Sequence, residues 1–345
     1  MFTRRLTIVA FLSAAVVTAG AAEPQTGDAQ RGARRIMGTF CEIQAHHKDA
    51  GVAERAIKDA LDEMQRVDRL LSNYDAASEL SAMNRGAAHE PFRASPELYG
   101  FVKRCRDYVI ASKGAFDPTV GPLLRAWGFF TSRPAKPSDE EIADAERVTG
   151  FDKVCLDDAE RTVSYTVKGV EIDPGGIGKG YAVDMAVRVL RRAGVASALV
   201  SAGGSTLYAI GHPPGRPVWR VAVSDPSDRE HPVRVARLMD ASLSTSGVSE
   251  RFVAVDGQRY SHLFDPRTGS PVQGMCQVTV VARSATDSDA LTKAPFILSR
   301  EDTRRLFERE KTVHVLRMEG ACGPGRVVWT TPWSSSVFVD AAAGR

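Results

Sequence analysis

No charge of one sign dominates this 345-residue chain. Its 45 basic and 42 acidic residues leave a formal net charge of +3, too weak a field to draw the protein to nucleic acid or to an anionic membrane. No Cys-x-x-Cys pair occurs among Cys41, Cys105, Cys155, Cys276 and Cys322, which removes the common zinc and dithiol motifs. Their odd number and wide spacing do not demand a disulfide, so buried free thiols are expected, although an oxidising compartment would permit a bridge. No internal repeat or low-complexity linker divides the chain, whose length suits one large domain or two intertwined lobes. A Walker A loop is also missing. It would need Gly at 173 and Ser or Thr at 180, where the chain has Asp173 and Gly180, and a dinucleotide fingerprint from Gly176 and Gly178 would need Gly where Tyr181 stands.

What is present starts with Arg4 and Arg5, an apolar run over 6–17 and small residues over 18–22. This is the pattern of a secretory signal peptide, residues 1–22, too short to span a bilayer and cleaved near Ala21 or Ala22. No stable membrane span is expected after its removal. Both the general and the twin-arginine export routes fit Thr3-Arg4-Arg5, and no Cys ends the apolar run to accept a lipid. A polar stretch to Arg34 then leads to a strand over 36–45. Ala53, Ala56, Ile57, Ala60, Leu61, Met64, Val67 and Leu71 recur at helical spacing, and a second helix is expected over 96–112. Ser138-x-x-Glu141 reads as a capping box. From Val195 the pattern turns to short β-prone runs at 198–201, 218–224, 233–238, 252–255, 277–282 and 313–317, with Asp256-Gly257 as a type I′ hairpin turn. Helices followed by hairpin-connected strands indicate an α+β fold rather than a doubly wound sheet.

Four segments could carry chemistry. Asp173, Gly175, Gly176, Gly178, Lys179 and Gly180 lie between an apolar strand ending at Ile172 and an amphipathic helix over 179–193. Glycines let a ligand approach the backbone, and the first amides of a helix attract an anion, so this turn suits a phosphate; a tight connection explains the same residues. His262 precedes the rigid Asp265-Pro266 turn, where it could act as a general base oriented by a nearby carboxylate, or pack as a core imidazole. Gly114-Ala115-Phe116-Asp117-Pro118-Thr119-Val120-Gly121-Pro122, followed by Trp127-Gly128-Phe129, offers either a stiff connection with an aromatic plug or a wall for a flat ring system. Asp287, Asp289 and Thr292 stand near the start of an apolar helix over 284–298, placed for N-capping or, through Asp289 and Thr292 on one face, for a hard cation.

Taken in order, these segments resemble the ApbE family of flavin transferases, FAD:protein FMN transferases of the bacterial cell envelope. The resemblance runs through Met37-Gly38-Thr39, Leu71-Ser72-Asn73-Tyr74, Ser78-Glu79-Leu80, Asn84, the 114–122 loop, 173–184, Ser246-Gly247, 262–269 and Asp289-Ala290-Leu291. It implies one α+β domain over 35–335, with largely antiparallel sheets, flanking helices and a nucleotide cleft, that holds FAD through Met37, Tyr74, Ala115, Phe116, Asp117, Asp173, Lys179 and the backbone near Phe264. Mg²⁺ would bind the Gly176 carbonyl and side-chain oxygens of the Asp289 helix, and His262 would deprotonate the acceptor. The activity implied is cleavage of FAD, release of AMP and attachment of FMN through a phosphoester to a Thr or Ser hydroxyl of a redox protein in the periplasm. An FAD pyrophosphatase and a non-catalytic FAD-binding protein are the alternatives. One position departs from the family pattern Asp-Ala-x-x-Thr: Lys293 stands where the threonine would. Either Thr292 supplies the missing oxygen, which is the expectation because it keeps a hard donor, or Lys293 replaces part of the metal's charge.

Overall fold

The computed structural model describes residues 29–129, 136–228, 230–255, 257–309, 311–323 and 325–341. The expected signal peptide therefore lies outside the described residues. An eight-stranded sheet forms the scaffold, from Gln30–Ile36, Thr39–His46, Ser197–Ala202, Thr206–Ile210, Ala241–Gly247, Met275–Ala282, His314–Glu319 and Val327–Thr330. The strands lie in chain order and every neighbouring pair is antiparallel. The helices and hairpins are insertions between successive strands. Side chains alternate between two cores, as a pleated strand requires. Ile43, Ala198, Val200 and Val280 face the helices Ala50–Leu71 and Gly178–Arg192. Leu199, Leu207, Leu243 and Leu316 face a smaller sheet made of Trp219–Val223, Arg234–Leu238 and Phe338–Val339.

Helix Ala50–Leu71 buries all eight residues that its periodicity selects, and Asp49 caps it by accepting from the Val52 amide. The capping box of Ser138 and Glu141 forms at the start of Asp139–Arg147. The expected hairpin pairs Phe252–Val255 with Gln258–Ser261, and Gly257 adopts φ 78°. Gly194, at φ 81°, ends the glycine-rich helix, its amide donating to Arg191 O and that of Val195 to Leu190 O.

Several elements differ from the expectation. The stretch before Thr39 is a strand of its own, and Met37-Gly38 is a two-residue turn with φ 53° and 71°, a primed turn that needs no Asn-Gly pair. Val170 to Ile172, expected as a strand, belongs to no ladder. The Asn84 side chain takes the place of a partner strand there, donating to Ile172 O and accepting from Ile172 N, each at 3.0 Å. The helix expected over 284–298 is two, Ala285–Leu291 and Ala294–Ile297, because Pro295 has no N–H for the Leu291 carbonyl. Thr206–Ile210 and Ala241–Gly247 show little alternation, since both sheet faces are covered there. Cys276 and Cys322 form a disulfide, with Cα atoms 5.1 Å apart. This corrects the expectation of free thiols for those two residues, which the antiparallel strands on either side of the link bring together. Cys41 and Cys105 are free and buried, while Cys155 is free and exposed.

Candidate active site

A cleft of about 750 Å³ opens where the insertions meet one end of the main sheet. Met37, Tyr74, Ala115, Phe116, Asp117, Asp173, Gly176, Lys179, His262, Phe264 and Asp289 all line it, and Thr292 does not. Eleven residues scattered over some 250 positions thus share one wall system, and each is aimed by a specific local device.

Met37 holds its left-handed backbone because its N–H donates to Asp68 on the first helix, 3.1 Å away. An apolar side chain in that conformation is strained, and here the turn presents it to the cleft. Ser72 ends the first helix and accepts from the amides of Tyr74 and Asp75, which leaves Tyr74 74% exposed at the rim. Phe116 is buried edge-on against Tyr108, ring centroids 6.0 Å apart. The 114–122 loop is both a plug and a wall: Trp127 and Phe129 pack on Phe264, and Ala115 and Phe116 face the cleft. Asp117 turns its carboxylate into that loop, accepting from the Thr119 amide, the Thr119 hydroxyl and the Phe151 amide. Burial raises its pKa against those donors.

Asp173 joins three segments. Its oxygens accept from Gly175 N at 2.6 Å and Asn73 Nδ2 at 2.8 Å, and its own amide donates to Pro118 O at 2.7 Å. Burial again raises the carboxyl pKa. Beyond it the backbone makes one 3-10 turn, Pro174–Gly176, and enters the helix Gly178–Arg192, whose start no side chain of its own N-cap residue caps. Lys179 Nζ donates to Ser205 Oγ beside the Gly203-Gly204 pair. Gly180 is required by close packing: a Cβ there would sit 2.2 Å from the Ala285 carbonyl oxygen. Its amide donates to Asp289 Oδ2 at 2.9 Å.

The Asp289 helix is fixed from two sides. Asp184 accepts from the amides of Ala285 and Thr286 and from the Thr286 hydroxyl, closing its N-terminus with a carboxylate. Ser242, Ser244 and Ser246, successive inward positions of one strand, meet Ser288 and Thr292 hydroxyl to hydroxyl at 2.7 to 2.9 Å. Thr292 is fully buried in that contact. Lys293, one turn after Asp289, lines the cleft instead. Its Nζ donates to Asp289 O at 2.8 Å, to Asp289 Oδ1 at 3.1 Å and to Thr292 Oγ1 at 3.0 Å. The two side chains expected to hold Mg²⁺, Asp289 and Thr292, thus already hold an ammonium. No group of three His, Cys, Asp or Glu residues placed for a metal occurs among the described residues. The residues present do not fit the expected metal set.

His262 has one defined tautomer. Its Nδ1 lies 2.9 Å from the Arg251 carbonyl oxygen, which can only accept, so Nδ1 carries the proton and Nε2 is the basic nitrogen. The orienting group is this carbonyl and not a carboxylate; Asp265 is engaged by the Arg267 guanidinium at 2.7 and 2.8 Å. Burial pushes the His262 pKa down to about 4, and the charges of Arg251, Lys293 and Lys179 act in the same direction. Sequence reasoning assigned no role to Asn73, Asn84, Asp184, Ser205 or Glu250. The last lines the cleft, with its pKa raised by burial against the pull of Lys179 and Lys293. Only the S-x-S-x-S alternation at 242–246 carried a readable signal, of hydroxyls on one strand face.

A family model described as the ApbE family matches residues 37–316. The FAD:protein FMN transferase of Treponema pallidum is 31% identical over 300 residues, covering 82% of this chain and 83% of that protein. That of Klebsiella pneumoniae is 30% identical over 305 residues, 86% of each. Among solved structures, the ApbE protein of Thermotoga maritima aligns with a TM-score of 0.82 at 30% identity, over 91% of this chain and 100% of that one. The Pseudomonas stutzeri flavinyl transferase ApbE aligns with a TM-score of 0.80 at 27% identity, over 92% and 99%. A match that runs through every segment lining the cleft, together with a shared α+β architecture, places this chain in the ApbE family.

Proposed function

We propose that this chain is an FAD:protein FMN transferase that cleaves FAD, releases AMP and joins FMN through a phosphoester to a Thr or Ser hydroxyl of a redox protein. The observation that carries this reading is the convergence in one cleft of aromatic walls, a glycine-rich helix start with Lys179, and the basic Nε2 of His262. Aromatic walls suit the isoalloxazine ring, and helix amides with a lysine suit a pyrophosphate. In the reaction, His262 Nε2 takes the acceptor's hydroxyl proton. The acceptor oxygen forms a bond to the FMN-side phosphorus, and the bond from that phosphorus to the bridging oxygen breaks with its electron pair staying on AMP. Lys179 and the helix amides stabilise the charge that develops.

Export to the periplasm is part of the same proposal. The opening 22 residues have signal-peptide character, and the Cys276–Cys322 bridge suits an oxidising compartment. Among the described residues no helix is long and apolar enough to cross a membrane. Incubation with FAD, with and without a candidate acceptor subunit, tests the activity. Protein-linked flavin with stoichiometric AMP supports transfer. Free FMN and AMP alone would make the chain a pyrophosphatase, and unchanged FAD would make it a binding protein.

A further inference from the structure

Lys293 occupies the position at which a divalent cation was expected. Its ammonium is shared among a carbonyl, a carboxylate and a hydroxyl oxygen, all from Asp289 and Thr292. That is the kind of hard-oxygen set a magnesium ion takes. The stem of the same side chain rests on the glycine-rich turn, since a Cβ at Gly176 would lie 3.3 Å from Lys293 Cε and 4.0 Å from its Nζ. The charge therefore stands between the Asp289 helix and Gly176. An ordinary exposed helix pair does not describe it: the Lys293 and Asp289 side chains are 16% and 4% exposed, and burial of such a pair carries a desolvation cost that a surface pair avoids. A divalent ion at about 2.1 Å from these oxygens would lie against the ammonium with no solvent between the like charges, so the site holds one or the other.

We propose that Lys293 is the fixed cation of this active site, taking the place of a divalent metal, so that FAD cleavage here proceeds without one. The inference rests on the transferase reading for its chemical role. With Lys179 also lining the cleft, two lysines would face the two phosphates, and the electron pair left on the AMP oxygen would be stabilised by them and by the helix amides, without a metal ion. No added cation enters the balance: the proton goes to His262 and the negative charge leaves with AMP.

Two readouts test this, one of them independent of activity. The first is uptake of Mn²⁺ by FAD-free protein, followed through loss of the free-ion magnetic resonance signal. Wild type should take up no stoichiometric Mn²⁺ at millimolar ion, while Lys293→Thr and Lys293→Ala should each bind one. The second is AMP release from FAD. Wild type should keep its rate within about twofold after chelation, whereas Lys293→Thr without metal should fall about 100-fold and recover with Mg²⁺. Stoichiometric Mn²⁺ on wild type, loss of wild-type AMP release on chelation, or failure of both folded variants to gain Mn²⁺ would overturn the proposal. If wild type releases no AMP under any condition, the transferase reading fails. The Mn²⁺ titration of the same protein then still decides the Lys293 assignment, and wild-type measurements decide it alone if neither variant folds.

Discussion

The imidazole of His262 should work as a base at unusually low pH. Its Nδ1–H is committed to the Arg251 carbonyl, and burial brings its pKa to about 4. At pH 5.5 a group with that pKa is about 97% neutral, against about 9% for an ordinary histidine at 6.5. The rate of AMP release at saturating acceptor should therefore stay nearly flat from pH 7 to 5.5 and fall only as the pH approaches 4. Folding should show the complementary effect. The unfolded chain protonates this histidine below pH 6.5 while the folded chain resists until about 4, so the stability present above 6.5 is lost across that window, up to about 3 kcal/mol. His262→Gln cannot titrate and should show a shallower loss between pH 7 and 4 in urea unfolding curves. It should also lose about 10²- to 10⁴-fold in transfer while keeping FAD affinity. An acid limb centred near pH 6.5, or near-normal turnover in His262→Gln, would refute the reasoning.

Other residues give separable outcomes. Lys179→Ala should weaken FAD binding and turnover together, because a pyrophosphate contact acts before and during the reaction; unchanged affinity by flavin fluorescence would make Lys179 a turn residue only. Asp184→Ala strips three donors of the Asp289 helix of their acceptor, and urea unfolding should show a loss of about 3 kcal/mol, with AMP release reduced as well. Gly180→Ala forces a methyl group onto the Ala285 carbonyl, so at least about 1–3 kcal/mol of stability should go, with weaker FAD binding as the two helices separate. Removing the bridge by Cys276→Ala with Cys322→Ala opens a 46-residue link and should cost about 4 kcal/mol on the chain-entropy account, without changing turnover by the folded fraction.

The sequence was readable wherever local chemistry decided the outcome. The first long helix, the capping box, the hairpin at Gly257 and the end of the glycine-rich helix all follow from periodicity, caps and turn residues within a few positions of one another. It was unreadable where a distant group replaced a local one. The Ile172 segment has strand composition, yet its hydrogen bonds go to the Asn84 side chain, 88 residues away. The Cys276–Cys322 pairing depends on neighbouring strands of a sheet whose order spacing does not reveal.

Thr292 and Lys293 show the limit most clearly, because on a helix both i+3 and i+4 neighbour Asp289 and periodicity cannot rank them. The choice is made by the partner surface. Ser242, Ser244 and Ser246 present three hydroxyls toward the helix, and Ser288 with Thr292, four apart, completes that polar seam. Once Ser288 and Thr292 face the sheet, the next residue is carried about 100° around the helix, onto the Asp289 side and into the cleft. The Lys293 side chain is then 16% exposed, with its stem against Gly176 in the wall of the cleft. A serine ladder on a strand some forty residues earlier thus decides which of two adjacent side chains lines the cleft.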